Sequence, residues 1–315
     1  MAQATGSNAE LLIGFETTFG TDASAGFKMP FNSCDIVGSR NMNSAATITG
    51  ARDPVEPFSG NQSVSGQVTV PVDSSAFAYW MKAMLGDPTS SGTDPYNHVF
   101  TVPDTQDSLT IEIGYTDISQ YIKYNGCKIN GMTIDIGGDG ELVANFDVVG
   151  AKYNEPAGTS FDGTPTDVSL ARLSNFQAAV KEGSTPAEIS NATSVNVNIG
   201  CNLDTSQYVI GGGGILGAIP EGIVSVGGNL TALFEDDSLI DKAINVTESG
   251  LQITFTNGSS SIVDIYMPEI YYSVATPPVS GPQGIVQSLD FQGFYANNAT
   301  TSALQITVTN TTASY

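Results

Sequence analysis

Basic side chains are scarce: the 315 residues hold 10 Lys and Arg against 32 Asp and Glu, a formal net charge of −22. A protein that grips nucleic acid through its phosphates needs a basic track, and ten scattered cations cannot supply one. Histidine is almost missing, with His98 alone, so His-based catalysis has a single candidate. The three cysteines, Cys34, Cys127 and Cys201, are an odd number without motif spacing. With one histidine and all four residues far apart, that pattern weakens a Cys/His zinc site and speaks against a disulfide framework; buried free thiols are the plain reading. Long apolar runs are lacking too. The longest, residues 208–220, is interrupted by the glycines at 211–214 and is too short to span a bilayer. Residues 1–13 have no basic stretch ahead of an apolar one, so no secretory signal is expected. Only 13% of residues are charged, while 40% are hydrophobic, which is enough to build a core.

What is present is turn and strand chemistry. There are 34 Gly and 15 Pro, with abundant Ser, Thr and Asn, a composition of short strands joined by many turns. Residues 63–73 alternate polar and apolar, the mark of a half-buried strand. Phe77, Trp80, Met81, Met84 and Leu85 then fall on one helical face, with Asp73 or Ser74 to cap the start and Gly86 to end it. The order returns later. Residues 225–235 alternate in the same way, and Leu239, Ile240 and Ile244 mark a second helix. Ser63, Gly66, Thr69 and Asp73 match Ser225, Gly228, Thr231 and Glu235 at a constant offset of 162. Each half continues with a short strand (108–113; 250–255) and ends in a strand pair (128–136 with 141–149; 263–272 with 285–293). Asp147 and Gly150 match Asp290 and Gly293 at an offset of 143. The smaller offset reflects a turn-rich insertion at 87–107. Residues 154–166, rich in Gly, Pro and Thr, read as a linker. Residues 1–160 carry 18 acidic and 7 basic side chains and residues 161–315 carry 14 and 3, so each half is −11. The expected fold is mainly β: two tandem β-sandwich or open-barrel domains, each with one flanking α-helix, at 1–155 and 169–315 with a linker at 156–168.

The strand faces are one-sided. Met132, Ile134, Ile136, Leu142, Ala144, Phe146 and Val148 oppose Thr133, Asp135, Asn145 and Asp147. Leu289 and Phe291 oppose Ser288, Asp290 and Gln292; Ser65, Gln67 and Thr69 share a face, as do Asn229 and Thr231. These polar faces are neutral or acidic. Ordinary solvated faces mix both charge signs. A face without cations suits a surface that must not bind a polyanion.

The segment 11–21, Leu-Leu-Ile-Gly-Phe-Glu-Thr-Thr-Phe-Gly-Thr, resembles the N-terminal stretch of phage tail tube proteins. The strand at 64–73, the helix at 77–86, His98-Val-Phe100, residues 108–112 and 121–126, and the hairpin ending at Gly150 follow that family's order. The likeness covers most of 10–153 and, through the internal repeat, 170–295 more weakly. It implies a structural virion protein whose rings stack into the tube that conducts the genome during ejection. Many tube proteins carry one tube domain and form hexameric rings, so two domains per chain imply trimeric rings with pseudo-sixfold symmetry. The second half has no clear equivalent of Trp80. The resemblance makes Ser65, Gln67, Thr69, Asp135, Asn145, Asp147, Asn229, Thr231, Ser288, Asp290 and Gln292 the candidate lumen-facing set. It implies as partners other copies of the chain and the tape measure, tail terminator and distal tail proteins. DNA would pass without specific binding, and no membrane is involved. The chain would be made in the bacterial host cytoplasm and reside in the virion tail. Arg40, Arg52 and Asp53, in the segment 39–60, form either a ring-stacking arm or a plain surface loop. The glycines at 211–214 are an inter-subunit loop or simple slack.

Enzyme and metal readings find little support. Glu235, Asp236 and Asp237 cluster where a helix start favours carboxylates. Asp135, Asp139 and Glu141 surround a Gly-rich hairpin turn without the spacing of a calcium loop. No catalytic residue, metal or cofactor is expected. A secreted or surface β-sandwich adhesin is the competing class that fits the composition; the expectation of no secretory signal counts against it.

Overall fold

The alternation at 63–73 forms part of a long strand, Phe58–Pro71, with Val64, Val68 and Val70 buried. The chain then turns into helix α1, Ala76–Leu85. Asp73 caps it: one carboxylate oxygen accepts from the N–H groups of Ser75 (3.1 Å) and Phe77 (2.8 Å). Gly86, at φ +73°, closes it by donating to the Lys82 carbonyl. Phe77, Trp80, Met81, Met84 and Leu85 are all buried, as the helical spacing predicts. Burial pushes the Asp73 carboxyl up. Its ionisation therefore costs stability as pH rises through the folded-state value. Asp73→Ala is expected to cost about 1–2 kcal/mol in chemical denaturation. Asp73→Asn keeps the accepting oxygen and is expected to cost less.

The computed structural model describes residues 3–279, 281–296 and 302–315. The fold is mainly β, with two α-helices among the described residues. Seven antiparallel strands form one sheet in the order Val37–Asn43, Phe58–Pro71, Val143–Gly150, Gln120–Ile136, Ala192–Gly200, Ser225–Leu233, Val286–Gly293. The sheet is open: its first and last strands do not pair with each other. Its middle join, Ile136 opposite Val195 through Gly131 opposite Gly200, fuses the two halves of the chain.

Two long strands pass between layers. Gln120–Ile136 pairs through its second part in the seven-stranded sheet and through its first part with Leu109–Tyr115, which lies beside Ala9–Phe15. Ile262–Tyr272 behaves alike. Its end pairs with Val286–Gly293, while its beginning lies between Ser249–Thr256 and Gln305–Asn310. Helix α1 fills the space behind the sheet. Trp80 stacks on Phe146 (centroids 5.1 Å apart, 15° between planes), and the Lys82 ammonium sits 4.7 Å from the Phe15 ring centre. The N-terminal motif has a polar hub. Glu16 accepts from the N–H groups of Gly20 (2.8 Å) and Gly126 (2.9 Å), and from the hydroxyls of Ser108 (2.8 Å) and Thr110 (3.1 Å).

The structure corrects two expectations. Residues 87–107 are more than a turn-rich insertion. Tyr96–Thr101 is a strand that pairs with Gln305–Asn310, because His98 and Phe100 supply a buried face. The second helix, α2, spans Ser238–Ile244 and buries Leu239 and Ala243; Ile240 is half-buried and Ile244 exposed. Seven residues make two turns, too few to keep a three-residue stripe covered. The Gly/Pro/Thr-rich stretch at 154–166 is stitched to the first half: Ala157 and Tyr121 exchange backbone hydrogen bonds of 2.9 Å, and Glu112 accepts from the Ser160 hydroxyl (2.5 Å) and the Phe161 N–H (2.9 Å). Cys127 and Cys201 are buried and Cys34 half-buried, all as free thiols; burial pushes the Cys201 thiol up to about 11.

Candidate functional site

The alternation that buries one side of each strand delivers its polar residues to the other side. Register then decides which of them meet. One cross-strand row runs Thr69, Asn145, Thr133, Asn198, Gly227, Gln292. A second runs Asp135, Asn196, Asn229, Asp290. A third joins Ser194, Thr231 and Ser288, and a fourth sets Gln67 beside Asp147. Ser65 lies one step further, opposite Val149. All eleven residues singled out from the sequence therefore share one face of one continuous sheet. Ser194, Asn196 and Asn198 escaped the sequence reading. Their strand alternates with Val195, Val197 and Ile199, and that signal was available.

Side chains on this face bond to each other. The Gln67 amide donates to Asp147 (3.0 Å), Asn196 to Asp135 (2.6 Å) and Asn229 to Asp290 (2.8 Å). The Thr69 hydroxyl donates to Asn145 Oδ1 (2.8 Å), and the Ser288 and Thr231 hydroxyls donate to Asn229 Oδ1 (2.8 and 3.1 Å). Each aspartate is held by a neutral amide rather than by a cation, so its charge stays uncompensated. Two cations carried by these strands, Arg40 and Lys128, are engaged elsewhere, although Lys128 shares the row of Ser65 and Val149. Arg40 belongs to the opposite face and donates to the Gly213 carbonyl (2.5 Å). Lys128 is buried against Glu221 (2.5 Å) and the Ile219 carbonyl (3.1 Å). The result is a carpet of amides, hydroxyls and carboxylates.

Arg52 and Asp53 lie in the exposed connection at 44–57, beyond the hairpin formed by Val37–Asn43 and Phe58–Pro71. Arg40 lies midway along the strand Val37–Asn43, paired with Gln62, outside that connection. The structure brings the Gly-rich loop there. The Gln62 N–H donates to the Gly214 carbonyl (2.7 Å), and the Tyr208 hydroxyl donates to the Gln62 carbonyl (2.7 Å). Met42, Ile48, Phe58 and Ile210 stand exposed on this projection.

The isolated chemical candidates have structural partners. His98 is buried between the Ser90 hydroxyl and the Thr312 carbonyl, both at 2.8 Å. Asp236 accepts from the Ser238 N–H (3.0 Å) at the start of α2. Glu141 pairs with Arg172 (3.0 Å). No helix among the described residues is long and apolar enough to cross a membrane.

No curated protein matches the chain. A family model described as phage tail tube protein matches residues 6–293, and the segments that carry the resemblance lie within that span. The chain belongs to the phage tail tube protein family and is a structural protein of the phage tail.

Proposed function

We propose that three copies of the chain join edge to edge into a ring, that rings stack into a tube, and that the polar sheet face lines the bore through which the genome passes. The observation that carries this reading is the continuity of that face across both halves, with Asp135, Asp147 and Asp290 as its only charges within the four rows. Three copies at −22 bring −66 to each ring. Duplex DNA carries a negative charge about every 1.7 Å of its axis, so the wall repels it and offers no cation to hold it.

The stagger of the sheet supports closure by rotation. Arg40, the middle of the first edge strand, lies opposite Gln62, seven residues to one side of the Thr69 row. Asp290, near the middle of the last strand, lies two residues to the other side of that row. At about 3.3 Å per residue and about 4.8 Å per strand, the sheet slips roughly 30 Å over a width of roughly 29 Å. That corresponds to a strand tilt of about 45°, at the upper end of the usual barrel range. Three such sheets enclose a bore of roughly 35 Å after allowance for side chains, whereas two leave about 20 Å, no clearance for a hydrated duplex.

Two tube modules, 1–155 and 169–315, account for the repeated contacts. The pairs Gln67–Asp147 and Asn229–Asp290 correspond under the sequence offsets. So do two close approaches: a Cβ on Gly150 would lie 3.0 Å from Val64, and one on Gly293 would lie 3.2 Å from Val226. The projection at 39–60 is the stacking arm. Further partners in the tail are the tape measure, tail terminator and distal tail proteins, and synthesis is in the host cytoplasm. Sedimentation and negative-stain imaging of the purified chain test the reading. The full chain is expected to form tubes, and a variant with 44–57 replaced by a short Gly-Ser turn to stop at single rings. A chain that stays monomeric at high concentration contradicts it, and ligand affinity in that monomer would favour an adhesin.

A further inference from the structure

If the sheets join edge to edge, as proposed above, the two edges must supply matching strands. Val37–Asn43 offers one: among the described residues it pairs only with Phe58–Pro71, which leaves its outer side unpaired. The opposite edge, Val286–Gly293, is partly occupied. Ile270, Tyr271 and Tyr272 already pair with Gly293, Gln292 and Phe291, and the Ser273 N–H donates to the Asp290 carbonyl (2.8 Å). Direction matters as well. In a run of seven antiparallel strands the first and seventh point the same way. A direct join would thus insert one parallel pair per subunit into an antiparallel wall.

We infer that the joining strand is the segment after Ile262–Tyr272: on ring closure residues 273–276 of one copy extend it into an eighth strand, antiparallel to Val37–Asn43 of the next copy. Three observations support this. First, residues 274–279 make no backbone hydrogen bond to the described residues, and Val274 is 57% exposed. The alternation set by buried Tyr272 assigns Val274 to the core-facing side, where only a neighbour can cover it. Second, Pro277 and Pro278 lack N–H groups, so the ladder ends at Thr276 without leaving a further unpaired edge. Third, the charges are complementary. Residues 36–52 contain Arg40 and Arg52 and no acid, whereas residues 243–315 contain no Lys or Arg, and Glu269 and Asp290 flank the new strand. Among the described residues Arg40 Nε is a buried donor without an acceptor, and Glu269 Oε1 a buried acceptor without a donor. Arg40 thereby meets an edge that carries acids and no cation, which favours the head-to-tail contact that closes a ring.

Hydrogen–deuterium exchange on the unmodified chain tests this directly. On assembly, amides in 37–43 and 273–276 are expected to exchange at least tenfold more slowly than in the dilute chain. The double variant Ser39→Cys with Ser273→Cys is expected to give a covalent ladder that stops at a closed trimer under oxidation, with neither single variant doing so. Ser39 pairs with Ser63 on the polar face, and Ser273 lies beside Asp290 on the same face. Because register can shift by two residues without changing face, Tyr271→Cys and Ala275→Cys are combined with Ser39→Cys in parallel. Rings or tubes that form without protection at 273–276 and without any of the three cross-links overturn this inference and leave the tube reading standing. Absence of rings from the unmodified chain overturns the tube reading and this inference with it.

Discussion

Trp80→Ala is expected to lower stability by about 3–5 kcal/mol, the range for truncating a fully buried large aromatic. Trp80 has no exposed surface and lies almost parallel to Phe146, on the third strand of the seven-stranded sheet. The helix therefore hangs on the sheet through this ring, and alanine opens a cavity that the surrounding strands cannot collapse to fill. Trp80→Phe is expected to lose much less, because the indole N–H has no acceptor among the described residues and only part of the ring is removed. Thermal scans of the three proteins check this; the alanine variant is expected to melt roughly 5–10 °C lower. An unchanged melting temperature means that α1 is not anchored through Trp80.

The second large effect concerns the polar face. Replacing Asp135, Asp147 and Asp290 together by lysine is expected to leave assembly intact and make the tube retain DNA. All three side chains lie outside the core and make single amide contacts, so folding loses little. Each change is +2, which turns the only charges within the four rows of the face from negative to positive. A wall that makes 6–10 phosphate contacts should lose affinity by about 10³–10⁵ between 50 and 200 mM salt. The expected result is salt-sensitive capture of duplex DNA by variant tubes, none by the original, and slower genome ejection from particles carrying the variant. Variant tubes that ignore DNA at low salt, with normal infectivity, place these residues away from the bore.

The strand faces could be read from the sequence because their cause is local. Alternation of Met132, Ile134 and Ile136 with Thr133 and Asp135 fixes which side is buried whatever the partner strand is. The caps of α1 are equally local: Asp73 and Gly86 act within a turn of the helix. Pairing is not local. Gln120–Ile136 against Ala192–Gly200, and Tyr96–Thr101 against Gln305–Asn310, are contacts between segments far apart in the chain, and no periodicity specifies them. That is why the union of both polar faces in one sheet emerged only in the fold. The position of Arg40 was hidden for a related reason. Its face depends on the register of one hairpin, whose irregularity between Arg40 and Met42 is invisible in composition.

The central claim is that this polar face encloses a channel, and an electron-microscopy reconstruction of the assembled chain tests it most directly. The account predicts three chains per ring, a continuous wall of strands inclined by about 45°, and Asp135, Asp147 and Asp290 directed into an open bore. A ring with that face turned outward, or a bore lined by lysine and arginine, contradicts it.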